Sequence, residues 1–265
     1  MFQGPDGECI ARERLVGYRC DGAAPLVVFD AGSASERRFL GGAFAVPVPS
    51  LPDASEVIGV GDGAELVAVR DEPRRLYTVR GSSIDRWLSL PDAATLGSGP
   101  RAFMLGDSIL DGGMTDMSLA LPGWTIEIDA SNGRSSGEGA SIAESRVADD
   151  DVVVVELGTN DRDPDAFRGN ARRILAAFSD ASVIFWQTVE GPPEVVEADV
   201  INTEIVAIAG RRPNVAIADW ASEVSDEFLF DGVHPDPQHQ GAMAGLVAPL
   251  IRTWWRSATT APGCA

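Results

Sequence analysis

Lysine is missing from this chain. All 21 basic residues are arginine, set against 40 Asp and Glu, for a formal net charge of −19. A protein that binds phosphate backbones needs a positive face, so nucleic acid is disfavoured as a partner. The same charge disfavours an anionic membrane surface. Histidine is almost as scarce, with only His234 and His239. Cysteine occurs three times, at Cys9, Cys20 and Cys264, with no Cys-x-x-Cys and no His-x-x-x-His pair. The spacings that build a metal site are therefore absent. A bridge between Cys9 and Cys20 would add about 3 kcal/mol in the chain-entropy model; unpaired thiols in a reducing compartment are the alternative. Cys264 lies in the polar tail TTAPGCA. No apolar run approaches the roughly 20 residues that span a bilayer, and the opening MFQGPDGECIARERL lacks the charged-then-apolar pattern of a secretory leader. The cysteine pair and a small β domain favour an extracellular or cell-surface setting, with a cytoplasmic one as the alternative.

Two regions differ in rhythm. Residues 1–97 carry short apolar runs broken by Gly, Pro and Asp, such as PLVVFDAG, SEVIGVGDG and RRLYTVRG. Turn residues between β-branched runs indicate strands, so this part reads as a β-rich accessory domain, with a sandwich as one form. LPDAATLGSGP at 90–100 reads as the linker. Residues 98–265 alternate instead. RAFMLG (101–106), WTIEID (124–129), VVVVEL (152–157), SVIFWQT (182–188) and NVAIADW (214–220) are strand candidates. Asp163-Pro164 makes a good helix start for PDAFRGNARRILAAFS. EVVEADVINTEIVAIAG has helical spacing and stops at Gly210, and residues 238–256 supply a last helix. Alternating strands and helices predict an α/β domain with a flavodoxin-like, doubly wound, five-stranded parallel sheet and helices on both faces. Four consecutive valines suit a strand buried on both sides.

Open parallel sheets bind ligands beyond the carboxyl ends of their strands. At those ends stand Gly106-Asp107-Ser108, Ser131-Asn132-Gly133-Arg134, Gly158-Thr159-Asn160-Asp161 and, after the last strand, Asp231-Gly232-Val233-His234. These residues suit acyl transfer. A serine hydroxyl needs a base, and His234 is the candidate. Asp231, three residues earlier, can hold its far ring nitrogen. A tetrahedral intermediate needs donors for its oxygen; the Ser108 amide at a helix N-terminus, the Gly133 amide and the Asn160 side chain are the available set.

These blocks resemble the SGNH, or GDSL-type, family of serine esterases and lipases. Gly106-Asp107-Ser108 matches the first block, DASNGR the glycine block, Gly158-Thr159-Asn160-Asp161 the third and Asp231-Gly232-Val233-His234 the last. The likeness spans residues 101–256. It implies Ser108, His234 and Asp231 as a catalytic triad, Ser108, Gly133 and Asn160 as the oxyanion hole, and neither cofactor nor metal. Ile109 departs from the leucine that usually follows the serine, and Gly137 or Gly139 can stand in for Gly133. An accessory β domain beside such a domain is common in carbohydrate esterases, which implies short-acyl, chiefly acetyl, esters of a sugar or polysaccharide.

Each residue also has a plainer reading. Ser108 suits a helix cap, Asn160 an Asx-turn and Gly133 a turn glycine. Asp231 and His234 suit a surface loop, His239 a helix surface, and DRDPD at 161–165 a solvated loop. Two rival functions remain: an acyltransferase that passes the acyl group to a sugar hydroxyl through the same triad, and a non-catalytic carbohydrate-binding protein.

Overall fold

A computed structural model of the protein describes the backbone of strands between Phe2–Gln3 and Ser83–Ser89 and, with side chains, residues 96–259. Positions 97–98, 147–149 and 213, and the side chains at 253, 256 and 257, fall outside the description. The chain divides into two compact units, Met1–Thr95 with Arg252–Ala265, and Leu96–Ile251. In the first unit the described strands pair antiparallel, in sheets of two, four and four. The sandwich, the Cys9–Cys20 pair, Cys264 and most of the linker stretch lie outside the described residues.

The second unit is a doubly wound sheet. Its strands are β1 (Arg101–Gly106), β2 (Thr125–Ala130), β3 (Val152–Glu156), β4 (Val183–Gln187) and β5 (Val215–Ala218). They run parallel in the order β2-β1-β3-β4-β5. Helices α1 (Ser108–Ala120), α2 (Ser136–Ser145), α3 (Pro164–Ala177), α4 (Ala198–Ala209) and α5 (Trp220–Glu223) connect or follow the strands, and α6 (Ala242–Thr259) comes last. The chain steps from β1 outward to β2, then crosses back to β3 on the other side of β1. The winding therefore reverses between β1 and β3, and a crevice opens at their carboxyl ends.

Burial explains the strand sequences. Every residue of β3 (VVVVE) and β4 (VIFWQ) is buried, as a central strand covered on both faces requires. The edge strand β2 is only partly buried, and its TIEID alternation matches a sheet edge with one wetter face. Pleating sends Val153, Val155, Ile184 and Trp186 to one face, where they form a single core with α2, α3 and α4. Phe167 of α3 meets Trp186 edge-on, with ring centroids 6.0 Å apart at 81°. Truncating Phe167 to alanine would cost about 3–5 kcal/mol. Met104, Val154 and Phe185 are buried towards the opposite face. There α1 lies against β1 and β2, and a Cβ on Gly113 would come 3.3 Å from the Gln240 carbonyl just before α6.

The helix ends correct the sequence reading in two places. The Asp163-Pro164 start holds, with Asp163 Oδ1 accepting the amides of Asp165 and Ala166 at 2.9 and 3.2 Å. Gly210 does follow α4, but its φ of −62° is right-handed, so the stop needs no glycine. The last helix starts at Ala242 rather than near 238, because Asp236 folds residues 236–239 into a turn by accepting the amides of Gln238 and His239. The unforeseen helix is α2, whose Ser135 and Glu138 form a reciprocal capping box. Among the described residues, no helix is long and apolar enough to cross a membrane.

Candidate active site

The crevice between β1 and β3 gathers residues that are far apart in sequence. Strand β1 ends at Gly106, where a Cβ would lie 2.5 Å from Leu110 Cβ and 2.9 Å from Glu156 Oε2, so only glycine lets the turn close. Asp107 then caps α1, its Oδ1 accepting the Ile109 amide at 3.1 Å. Serine 108 is the first residue of the helix and not its cap, which removes the plainer reading of that residue. Its Oγ lies 2.8 Å from Nε2 of His234. The His234 Nδ1 lies 2.8 Å from Asp231 Oδ2.

The loop carrying Asp231 and His234 is built by its own backbone. Leu229 bridges to Pro235, the Phe230 amide donates to the His234 carbonyl at 3.0 Å, and the Asp236 amide donates to the Phe228 carbonyl at 2.8 Å. Asp231 Oδ1 accepts the amides of Val233 and His234 at 3.0 and 2.8 Å. Partial burial pushes the Asp231 carboxyl up, but the His234 amide, the His234 ring and the Val233 amide together hold it below the ordinary value. An ionised carboxylate can only accept, so His234 Nδ1 carries the hydrogen and Nε2 presents its lone pair to Ser108. Such a ring can take the serine proton as the oxygen attacks a carbonyl.

Three further donors were expected around the oxygen that would develop. Ser108 N–H has no acceptor among the described residues, whereas the neighbouring amides do. Asp107 N–H donates to Glu156, Ile109 N–H to Asp107, and Leu110 N–H to Glu156 Oε2 at 3.2 Å. Gly133 sits in the turn after β2 with a left-handed φ of +73°. Of the two alternatives, Gly139 lies in α2 with its N–H committed to the Ser135 carbonyl, whereas Gly137 lies in the first turn of that helix. Asn160 faces the β1 turn across the crevice, as neighbouring β1 and β3 require, and its Nδ2 donates to Asp107 Oδ2 at 3.0 Å and to the Arg134 carbonyl at 3.2 Å. That is not an Asx-turn.

In front of Ser108 and His234 opens a cavity of about 290 Å³, bordered also by Asp111, Asn132, Phe230 and Gln240. Gly133 and Asn160 do not border this cavity. Phe230 is 68% exposed and stacks on the His234 ring at 5.8 Å and 25°.

Sequence reasoning missed several contributors. Arg134, 8% exposed, donates to the carbonyls of Gly106 and Asp129 and to the Asp129 carboxylate, tying the turn after β2 to the turn after β1. Glu156 is 1% exposed beneath the Ser108 turn; its signal was a carboxylate ending a run of four valines in a doubly buried strand. Asp161 is no solvated acid, since it accepts from the amide and hydroxyl of Ser136 at the start of α2. His239 is not on a helix but in the turn before α6, its Nδ1 2.9 Å from Asp236 Oδ2.

No protein-family model matches the chain, and no curated protein matches it either. Solved structures similar to it include esterases, lipases and acylhydrolases, many of them of the SGNH or GDSL type. One is the C-terminal catalytic domain of Streptococcus pneumoniae peptidoglycan O-acetyltransferase A, 21% identical over 61% of this chain and 96% of its own, with a TM-score of 0.49. A carbohydrate esterase of family 3 from Talaromyces cellulolyticus is 20% identical over 59% of this chain and 98% of its own, at 0.46. A GDSL-like lipase from Bacteroides thetaiotaomicron is 18% identical over 60% and 93%, at 0.46. At these identities the chemistry rests on the site's own residues.

Proposed function

We propose that the α/β unit is a serine hydrolase of the SGNH type that cleaves carboxylic esters. The observation that carries this reading is the continuous line from Ser108 Oγ to His234 Nε2 and from His234 Nδ1 to Asp231 Oδ2, each step 2.8 Å. Ser108 attacks the acyl carbon while His234 takes its proton. Asp231 holds the ring and stabilises the imidazolium. The Ser108 amide receives the oxyanion, helped by the positive end of α1. Gly133 and the Asn160 carboxamide join it when the substrate displaces the Arg134 carbonyl from Asn160. His234 then protonates the leaving alcohol, and water releases the acyl group.

The substrate is a short-acyl, neutral, hydroxylated ester such as an acetylated sugar. A cavity of about 290 Å³ is at the small end for ligand sites, which favours a short acyl group. Asp111, Asn132 and Gln240 offer hydrogen bonds to hydroxyls, Phe230 offers an exposed ring face, and no arginine lines the wall to receive a phosphate.

A ladder of p-nitrophenyl esters, together with an acetylated glycoside and acetyl-coenzyme A, tests this. The expected order is fastest turnover with acetyl and release of acetate from the glycoside. A preference for long-chain esters, or for the coenzyme ester, would overturn the substrate class. Acylated sugar accumulating in place of free acetate would assign the transferase reaction instead.

A further inference from the structure

Beneath the serine turn lie two acids that the ester mechanism does not use. Asp107 and Glu156 are 0% and 1% exposed; the Glu156 carboxyl takes the Asp107 amide at 2.9 Å and lies within hydrogen-bonding reach of the Asp107 carboxyl. Their remaining contacts fix where the proton between them resides. Both Asp107 oxygens accept, Oδ1 from the Ile109 amide and Oδ2 from Asn160 Nδ2. Glu156 Oε2 accepts the Asp107 and Leu110 amides at 2.9 and 3.2 Å. Glu156 Oε1 accepts from no donor among the described residues. Two carboxylates cannot bond to each other without a hydrogen, and two buried like charges in contact repel. The hydrogen therefore belongs on Glu156, and Asp107 stays ionised.

We propose that Asp107 and Glu156 share a single proton and act as a positioning pair for the oxyanion site. The pair takes up the amides of Asp107, Ile109 and Leu110 and leaves that of Ser108 as the free donor of the first turn. It also anchors one N–H of Asn160, so that only the other has to turn from the Arg134 carbonyl to substrate. Burial pushes both carboxyls up, Glu156 well above its ordinary value of 4.5 and further still because of the Asp107 charge. The charged and titratable groups around the pair are His234, whose charge acts on Asp107, and Arg134, whose guanidinium holds the Gly106 carbonyl at 3.0 Å. Along β4, one step past the Val155–Trp186 pairing, stands the uncharged, buried Gln187.

The catalytic part of this inference rests on the esterase reading; the shared proton does not. A carboxyl whose pKa is raised by folding stabilises the protein below its unfolded pKa, and that contribution is lost as pH rises through the folded value. Glu156→Gln keeps an acceptor for the two amides and a donor for Asp107, with nothing to titrate. The experiment measures Tm and kcat/KM from pH 4 to 10, a window spanning roughly the titration of a raised carboxyl, in the parent, Glu156→Gln and Glu156→Ala. Infrared spectra of the folded parent at neutral pH report a protonated carboxyl directly, even if a variant fails to fold. The expected results are a protonated-carboxyl band in the parent and a decline of parent Tm with rising pH that Glu156→Gln lacks. Parent turnover should fall at alkaline pH as the shared proton is lost; Glu156→Gln should stay within about threefold of the parent below neutrality and lack that fall, while Glu156→Ala loses about 10²-fold in kcat with KM little changed. Absence of the band, or identical pH profiles of Tm in parent and Glu156→Gln, would overturn the shared proton. An intact band and Tm difference without ester turnover would overturn the esterase reading alone.

Discussion

Two Asp-x-x-His segments stand five residues apart, Asp231–His234 and Asp236–His239, and they are built alike. In each, one carboxylate oxygen accepts the histidine's own amide, at 2.8 and 3.1 Å, and the amide before it, at 3.0 and 2.7 Å. The other oxygen meets the ring Nδ1, at 2.8 and 2.9 Å. A phenylalanine stacks on each imidazole, Phe230 on His234 and Phe228 on His239. The two rings are equally exposed, at 33% and 34%. What separates them is the far nitrogen. His234 Nε2 faces Ser108 Oγ, whereas His239 Nε2 has no partner among the described residues. An oriented imidazole is thus a local product of Asp-x-x-His and a reverse turn; a catalytic base also needs a hydroxyl delivered by another part of the sheet.

That contrast can be broken or sharpened by substitution. Ser108→Ala should have the largest effect, lowering ester turnover by about 10³-fold or more, as loss of an activated nucleophile does. His234→Ala should match it, while His239→Ala stays within about twofold of the parent, because a side chain outside the reacting set changes rates little. Comparable losses in both histidine variants would erase the distinction. Asp231→Asn should cost about 10³–10⁴-fold in kcat by releasing the ring and its tautomer, with Asp236→Asn again near the parent. Steady-state kinetics on a p-nitrophenyl ester read all of these. Asn160→Ala should lower kcat by about 10²–10³-fold with little change in KM, the mark of a donor used in the transition state. Among the oxyanion-site variants the smallest effect belongs to Gly133→Ala. A Cβ there meets nothing within 4 Å, so only the left-handed backbone is strained, by about 1–2 kcal/mol, seen as a lower Tm.

Much of this was legible because it is local. Gly106-Asp107-Ser108, Gly158-Thr159-Asn160-Asp161 and Asp231-Gly232-Val233-His234 each carry their chemistry within four residues, and the alternation of strands with helices places them at one end of a parallel sheet. The order β2-β1-β3 then makes Asn160 a neighbour of the serine turn. What escaped the sequence depends on contacts between distant residues. Asp107 and Ser108 are both good caps, and the choice between them is made by Glu156, 49 positions away, which draws the Asp107 amide under the helix. Arg134 looks like any surface arginine until the turns after β1 and β2 close on it. Asp161 looked solvated because nothing in DRDPD says that Ser136 will lie against it.

The most direct measurement is labelling with a fluorophosphonate followed by peptide mapping, in the parent and in the two histidine variants. One adduct is expected, on the peptide containing Ser108, absent in His234→Ala and retained in His239→Ala. An unmodified Ser108, or an adduct that survives loss of His234 and vanishes with His239, would contradict the assignment of His234 as the base that activates it.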